Sequence, residues 1–69
     1  MSRMTAYECC LLDPRNEVVT VEVIDCAHDA EARHSADDLL VHRPEFHGVE
    51  VWHSGRRVYV NVVGVEADG

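Results

Sequence analysis

The fold is decided by VVTVEVID (residues 18–25), which is followed by DAEARHSADDLLVHR (residues 29–43). The first segment is rich in β-branched residues, which is typical of a strand. The second segment has small and apolar residues at the helical spacing i, i+4, i+7 and i+8, namely Ala32, Ala36, Leu39 and Leu40. Asp29 and Glu31 fall in the first turn, where the helix dipole favours anions, and Pro44 ends the helix. The pattern therefore predicts a strand and then an alanine-rich helix that can approach a sheet closely.

Three further strands are predicted on either side of this pair. Residues 5–12 form the first strand, and the turn-forming residues 13–16 (Asp-Pro-Arg-Asn) join it to the valine-rich strand. Residues 48–53 and 56–63 form a second hairpin across Ser54-Gly55. The order β-β-α-β-β predicts an α+β domain with a four-stranded, mainly antiparallel sheet in the order 2-1-3-4 and one helix on one face.

The alternation of apolar residues predicts which face of the sheet the helix covers. A regular first hairpin with Leu11 opposite Val19 places the apolar rows of both strands on one side. A regular second hairpin likewise places Val51 opposite Val58. We expect the covered face to carry Tyr7, Cys9, Leu11, Val19, Val21, Val23, Val49, Val51, Val58 and Val60.

The second face of the sheet is the candidate interaction surface. Its proposed residues are Cys10, Leu12, Ile24, Trp52, Arg57 and Tyr59. Val18, Val63 and several polar residues are expected beside them, with Glu8 facing Glu22 across the first hairpin. Trp, Tyr and Arg are enriched at the centres of interfaces, so this face predicts self-association or partner binding. The alternative is a half-exposed face on which Trp52 stacks against Arg57.

The composition limits the possible partners and the compartment. The chain has 69 residues and a formal net charge of −7, and all six basic residues are arginine. We expect a single domain over residues 1–69, ordered over about 5–63, with flexible ends at 1–4 and 64–69. A negative surface repels phosphate backbones and anionic lipids, so no nucleic-acid or membrane partner is expected, whereas a basic protein partner is compatible. No apolar run is typical of a signal peptide, so a cytoplasmic location is predicted.

Histidine and cysteine provide the candidate metal ligands. His34, Asp38 and His42 follow one another at i, i+4 and i+8, close enough on a helix to share a cation. The alternative is a solvated polar helix face, because the spacing matches no established zinc motif. No other metal ligand set and no cofactor site is predicted.

Cys26 lies where the second strand gives way to the helix. A helix N-terminus can lower the pKa of a thiol, which would make Cys26 reactive. The alternative is a small buried hydrophobic residue, as free cysteine most often is.

Several motifs resemble those of a family of small bacterial proteins with no established activity. They are Ile24 to Ala32 at the start of the helix, Leu39-Leu40, Val49-Glu50-Val51-Trp52, and Gly55-Arg56-Arg57-Val58. The resemblance spans about residues 7–62 and implies the β-β-α-β-β fold. His28 stands where that family commonly has an acidic residue, which predicts a weaker helix N-cap. The resemblance implies no catalytic residue.

No reaction is predicted from these observations. The favoured function is a non-enzymatic interaction module, a homodimer formed through the second sheet face or a complex with another protein. The alternative is a small metal- or ligand-binding protein that uses its histidines and cysteines.

Overall fold

The computed structural model describes residues 4–62. The elements in chain order are β1 (Thr5–Leu12), β2 (Val18–Cys26), α1 (Asp29–His42), β3 (Gly48–His53) and β4 (Arg56–Val62). The predicted fourth-strand residue Val63 and the expected flexible ends at 1–3 and 64–69 lie outside the described residues. Met4 is described and is exposed.

The predicted architecture is confirmed. The strands form one antiparallel sheet in the order β2-β1-β3-β4, with β1 and β3 in the centre and β2 and β4 at the edges. The helix α1 packs on one face of this sheet. We call that side the helix face and the opposite side the open face.

The two hairpin turns use the residues that their geometry requires. In the first turn the Asp13 carboxylate accepts from the backbone N–H groups of Arg15 and Glu17, both at 2.9 Å, and Asn16 takes a φ of 65°. In the second turn Ser54 and Gly55 have φ values of 51° and 75°. Two successive positive φ angles are the signature of a type I′ hairpin turn.

The helix begins at an unusual cap. His28 is the N-cap residue, and its Nδ1 accepts from the backbone N–H of Glu31 at 3.3 Å. Glu31 reaches back, and its Oε1 accepts from the backbone N–H of Ala27 at 2.7 Å. The pair works as a variant of the capping box, so a histidine fills the role usually held by Ser, Thr, Asp or Asn. At the other end the Arg43 N–H donates to Leu40 O before Pro44 ends the helix.

The core lies between α1 and the two central strands. Its buried members are Tyr7, Cys9, Leu11, Cys26, Ala32, Ala36, Leu40, Val49 and Val51. The alanines on α1 let the helix approach the sheet, as the helical stripe predicted. Leu11, Val49 and Val51 are 0% exposed and sit on the two central strands, so the middle of the sheet forms the floor of the core.

The predicted register of the first hairpin is wrong by one residue. Leu11 lies opposite Thr20 rather than Val19, because β2 carries an extra residue where Leu12 lies opposite Val18. This bulge turns the row Val19, Val21 and Val23 onto the open face and the alternate residues onto the helix face. The regular register would have placed Asp25 opposite Thr5, where the bulged strand places Cys26. The bulge thus keeps a charged side chain out of the core.

The second hairpin has a bulge of the same kind. Trp52 lies opposite Arg57 as predicted, but Val51 lies opposite Tyr59 rather than Val58. Val58 is the extra residue, and it still packs against the core. Val60 is moved to the open face, while Tyr59 and Asn61 are moved beneath α1, where both reach Asp37. The prediction that Val60 lies under the helix is therefore wrong, because polar contacts to α1 occupy that side of β4.

Candidate interaction face

The open face is a set of cross-strand rows that α1 does not cover. One row runs Val23, Glu8, Trp52 and Arg57 from β2 to β4. The middle row runs Val21, Cys10, Glu50 and Val60. The third row contains Val18, Leu12, Gly48 and Val62, with the bulge residue Val19 beside it. The β2 part of the face is therefore uncharged from Val18 to Val23, with Asp25 at the end of the strand, and the other charged residues of these rows lie on the other three strands.

The valines of the open face are its most exposed apolar side chains. On β2 the exposed fractions are 53% for Val18, 56% for Val19, 50% for Val21 and 64% for Val23, and on β4 Val60 is 42% exposed. Single exposed apolar residues are normal on a protein surface, whereas these four β2 valines lie next to one another on one face.

Glu50 connects the charged side of the open face. Its Oε1 accepts from the indole Nε1 of Trp52 at 3.1 Å, and its Oε2 lies 3.7 Å from Arg57 Nη1. The alternative interpretation had Trp52 stacked on Arg57; in the structure both side chains contact this carboxylate. The polar tip of Trp52 is thus satisfied within the chain, and Arg57 is balanced by a neighbouring charge.

The six residues predicted for this face divide into two groups. Cys10, Leu12, Trp52 and Arg57 lie on the open face, with Leu12 buried and Cys10 and Trp52 half-buried. Ile24 and Tyr59 lie on the helix face and pack against the core, so their placement on the interaction face is wrong. Both misplacements follow from the two bulges, which reverse the side to which these residues point.

The exposed valine column of β2 was missed by sequence reasoning. Its alternation fits the buried face equally well, and no signal in the strand itself distinguishes the two sides. The charge at Asp25 is the clue that could have decided it, because the face that carries the valines also carries Asp25 at the end next to the helix.

Two carboxylates on α1 hold the helix to the helix face of the sheet. Asp29 Oδ1 accepts from the Tyr7 hydroxyl at 2.7 Å, and Asp37 Oδ1 accepts from the Tyr59 hydroxyl at 2.8 Å. The side-chain amide of Asn61 donates to the same Asp37 oxygen at 2.8 Å. The hydrogen bond to an aspartate, together with burial, raises the phenol pKa of Tyr7 and of Tyr59 above 10.0.

Glu22 also makes a contact on the helix face. The prediction that it lies opposite Glu8 is wrong. Cys9 lies opposite Glu22, and Glu8 lies opposite Val23 on the other face. The Glu22 carboxylate instead pairs with Arg43 just beyond the end of α1, at 2.7 Å. Arg43 in turn lies over the Phe46 ring, 6.0 Å from its centroid.

The structure places the predicted metal ligands on the exposed side of α1. His42 Nδ1 lies 2.9 Å from the backbone oxygen of Asp38 and 3.6 Å from its Oδ1, so these two side chains meet. His34 is exposed on the same helix. Among residues 4–62, no group of three His, Cys, Asp or Glu side chains is arranged to hold a metal ion.

The three cysteines are free thiols in different surroundings. Cys9 and Cys26 belong to the core, and Cys26 Sγ lies 3.9 Å from Ser35 Oγ on α1. Burial raises the pKa of the Cys9 thiol to about 11. Burial and then the carboxylates of Glu50 and Glu8 raise the pKa of Cys10, which is half-buried on the open face.

Over the described part of the chain no pocket is present, and no helix is long and apolar enough to cross a membrane. Comparison with models of protein families, with curated proteins and with solved structures gave no match to this chain. The resemblance to a family of small bacterial proteins therefore stays a prediction.

Proposed function

We propose that this protein is a non-enzymatic interaction module that self-associates through the open face of its sheet. The observation that carries the proposal is the uncovered column Val18, Val19, Val21 and Val23, each at least half exposed, on a sheet whose other face already has a complete core. A sheet with one covered face normally turns a polar face to water. This one turns valines outward.

Four half-buried carboxylates that could serve acid–base chemistry are used for structure. Asp29 and Asp37 hold the tyrosine hydroxyls, Glu22 holds Arg43, and Glu50 holds Trp52 and Arg57. General acid–base catalysis needs a carboxyl group free to exchange a proton with a substrate. Engagement of these half-buried groups supports a binding role rather than a reaction.

A second copy of the chain is the partner that the distribution of charge favours. Each copy carries a net charge of −7. Between Val18 and Val23, however, β2 contains one acid, Glu22, and its side chain points to the helix face and is paired with Arg43. Two copies can therefore meet along β2 with little direct repulsion between like charges. Contact over the central strands β1 and β3 would instead oppose Glu8 and Glu50 of each copy.

The size of the face sets the expected strength of the dimer. Four strands about 4.8 Å apart and about 20 Å long give a projected area of about 400 Å². Stable interfaces bury about 800 Å² of accessible surface per partner. The open face is thus at the low end of interface size, and we expect a dissociation constant in the micromolar range.

Sedimentation equilibrium from about 1 μM to about 1 mM tests the proposal. The native chain should pass from monomer to dimer, and Val21→Lys should weaken this association because it places a charge in the middle of the column. Val41→Lys is the matched control, because Val41 is 76% exposed on α1, away from the open face. A native chain that stays monomeric throughout, or equal weakening by both variants, would overturn the proposal.

A further inference from the structure

The two edges of the sheet are unequally protected. Unpaired strand edges invite pairing with another chain, and natural proteins blunt them with charges, prolines and bulges. The β4 edge has seven residues, begins with Arg56 and Arg57, and is interrupted by the bulge at Val58. The β2 edge has nine residues with no Lys, Arg or Pro, and its bulge lies at one end.

The only acid near the middle of β2 does not protect that edge. An inward-pointing charge can guard an edge because a pairing partner would bury it. Glu22 points to the helix face, but Arg43 pairs with it at 2.7 Å while both side chains stay about one-third exposed. The ion pair means that a neighbouring strand would meet a neutralised carboxylate rather than an unpaired one. From Val18 to Ile24, β2 is therefore an open template.

We infer that a second copy of the chain docks along this edge, with the two β2 strands antiparallel about a two-fold axis at Val21, so that the two sheets join into one of eight strands. The inference rests on the proposed self-association and narrows its geometry: the two copies meet along the edge beside the valine column, and their open faces lie side by side rather than stacked. The axis is perpendicular to the sheet, so both helices lie on the same side and both valine columns lie on the other.

The register follows from side-chain pairing across the axis. A two-fold axis at Val21 sets Val19 opposite the partner's Val23, Val21 opposite itself, and Thr20 opposite the partner's Glu22. An axis at Glu22 would set two carboxylates opposite each other, and directly opposed like charges destabilise a sheet. An axis at Val23 would set Val21 opposite the partner's Asp25. The Val21 axis alone gives three valine pairs.

This geometry accounts for the exposure of the valine column. A residue on an edge strand has a cross-strand neighbour on one side only, and directly opposed side chains lie about 4.5–5.5 Å apart. The partner's valines supply the missing neighbours, so six valines form one strip across the seam. Asp25 and the partner's Glu17 approach at each end, so added salt should strengthen the dimer rather than weaken it.

Disulfide trapping tests the register in a Cys10→Ser background, where the remaining cysteines, Cys9 and Cys26, are buried. Val21→Cys should form a disulfide-linked dimer under mild oxidation, because opposed strand residues come close to the required separation. Val60→Cys is the control, since Val60 lies on the same face but on the guarded edge. Val21→Cys should cross-link about tenfold faster or more, because pairing raises the local thiol concentration.

Mixed samples check the direction of the strands. Val19→Cys should cross-link with Val23→Cys in a mixture and form little disulfide alone. If sedimentation shows a dimer but Val21→Cys links no faster than Val60→Cys, the edge geometry is wrong and the proposed self-association stands. If the native chain stays monomeric, both fall.

Discussion

The hydroxyl of Tyr59 on β4 donates to the carboxylate of Asp37 on α1 at 2.8 Å, and this contact is what the bulge at Val58 makes possible. Without the extra residue, Tyr59 would point to the open face and Val60 would point toward the helix. Asn61 donates to the same Asp37 oxygen. One carboxylate therefore ties the edge strand to the helix through two donors.

Replacing Asp37 should loosen this edge. Asp37→Ala leaves the Tyr59 hydroxyl and the Asn61 amide without their acceptor, and we expect a loss of about 1–2 kcal/mol in the free energy of unfolding. Urea unfolding followed by Trp52 fluorescence measures it, since Trp52 lies on the neighbouring strand. Asp38→Ala is the control, because Asp38 is exposed and meets only His42, and its effect should stay within about 0.5 kcal/mol. Equal losses from the two variants would contradict the assignment.

Stability should fall in alkaline solution. The phenol pKa values of Tyr7 and Tyr59 are raised above 10.0 and the thiol pKa of Cys9 is raised to about 11 in the folded state. A raised pKa means that the folded state holds its proton more tightly than the unfolded state. The stabilisation is present below the unfolded pKa values and is lost as the pH rises through the folded ones. The free energy of unfolding should therefore decline from about pH 9 upward.

Chemical denaturation at a series of alkaline pH values checks this, with Tyr59→Phe as the comparison. The phenylalanine variant removes one of the linked protons, so its stability should decline less steeply with pH. A parallel decline in both proteins would show that Tyr59 takes no part. Near-ultraviolet absorbance gives a second measurement, because Asp37→Asn should lower the phenol pKa of Tyr59 toward its ordinary value.

The three thiols should react in a fixed order. Cys10 is half-buried, whereas Cys9 and Cys26 are 0% and 2% exposed. A thiol reagent should modify one cysteine per native chain and three after unfolding, with Cys10 slower than a free thiol because its pKa is raised. Mass spectrometry identifies the site, and Cys10→Ser should abolish the native signal. Native modification of Cys26 at the rate of Cys10 would support the reactive-thiol interpretation that burial argues against.

The N-terminus of α1 offers a route to higher stability. Aspartate is a stronger N-cap than histidine and adds a negative charge near the positive end of the helix dipole. His28→Asp should raise the free energy of unfolding by about 0.5–1 kcal/mol, measured by urea titration near neutral pH. His34→Asp introduces the same residue in the exposed middle of α1 and should give no gain. A loss of stability in His28→Asp would show that the histidine cap depends on contacts beyond the Glu31 N–H.

The order of elements and the topology of the sheet could be predicted because they follow from local signals. The spacing of apolar residues changes from the two-residue period of a strand to the 3.6-residue period of a helix at residue 29, and Pro44 ends the helix. The turn residues at Asp13 and Gly55 fix where the chain reverses. Val49 and Val51 were correctly placed in the core, because β3 is a central strand with no bulge against β1.

The register of the two edge strands could not be predicted, because it depends on contacts with the helix. β2 has apolar residues at both odd and even positions, so their alternation does not decide which side of the strand is buried. The choice is made by Cys26 fitting beneath α1 where Asp25 would not, and by Asp37 binding Tyr59 and Asn61. These contacts depend on how the whole domain packs, and the residue pattern of one strand carries no information about them. Four of the six residues predicted for the candidate interaction face therefore lie on it, Cys10, Leu12, Trp52 and Arg57, whereas Ile24 and Tyr59 do not.

The bulges at Val19 and Val58 have a consequence for how a sequence of this kind diverges. Each extra residue reverses the facing of the strand beyond it, so a single-codon insertion or deletion can exchange the inner and outer surfaces of an edge strand without altering any other amino acid. Relatives that differ by one inserted or deleted residue in either hairpin would share the topology and nearly the same composition, and yet expose different side chains on the open face. In a domain of this size, a change in the length of an edge strand can therefore alter the exposed surface as much as a change of side chain.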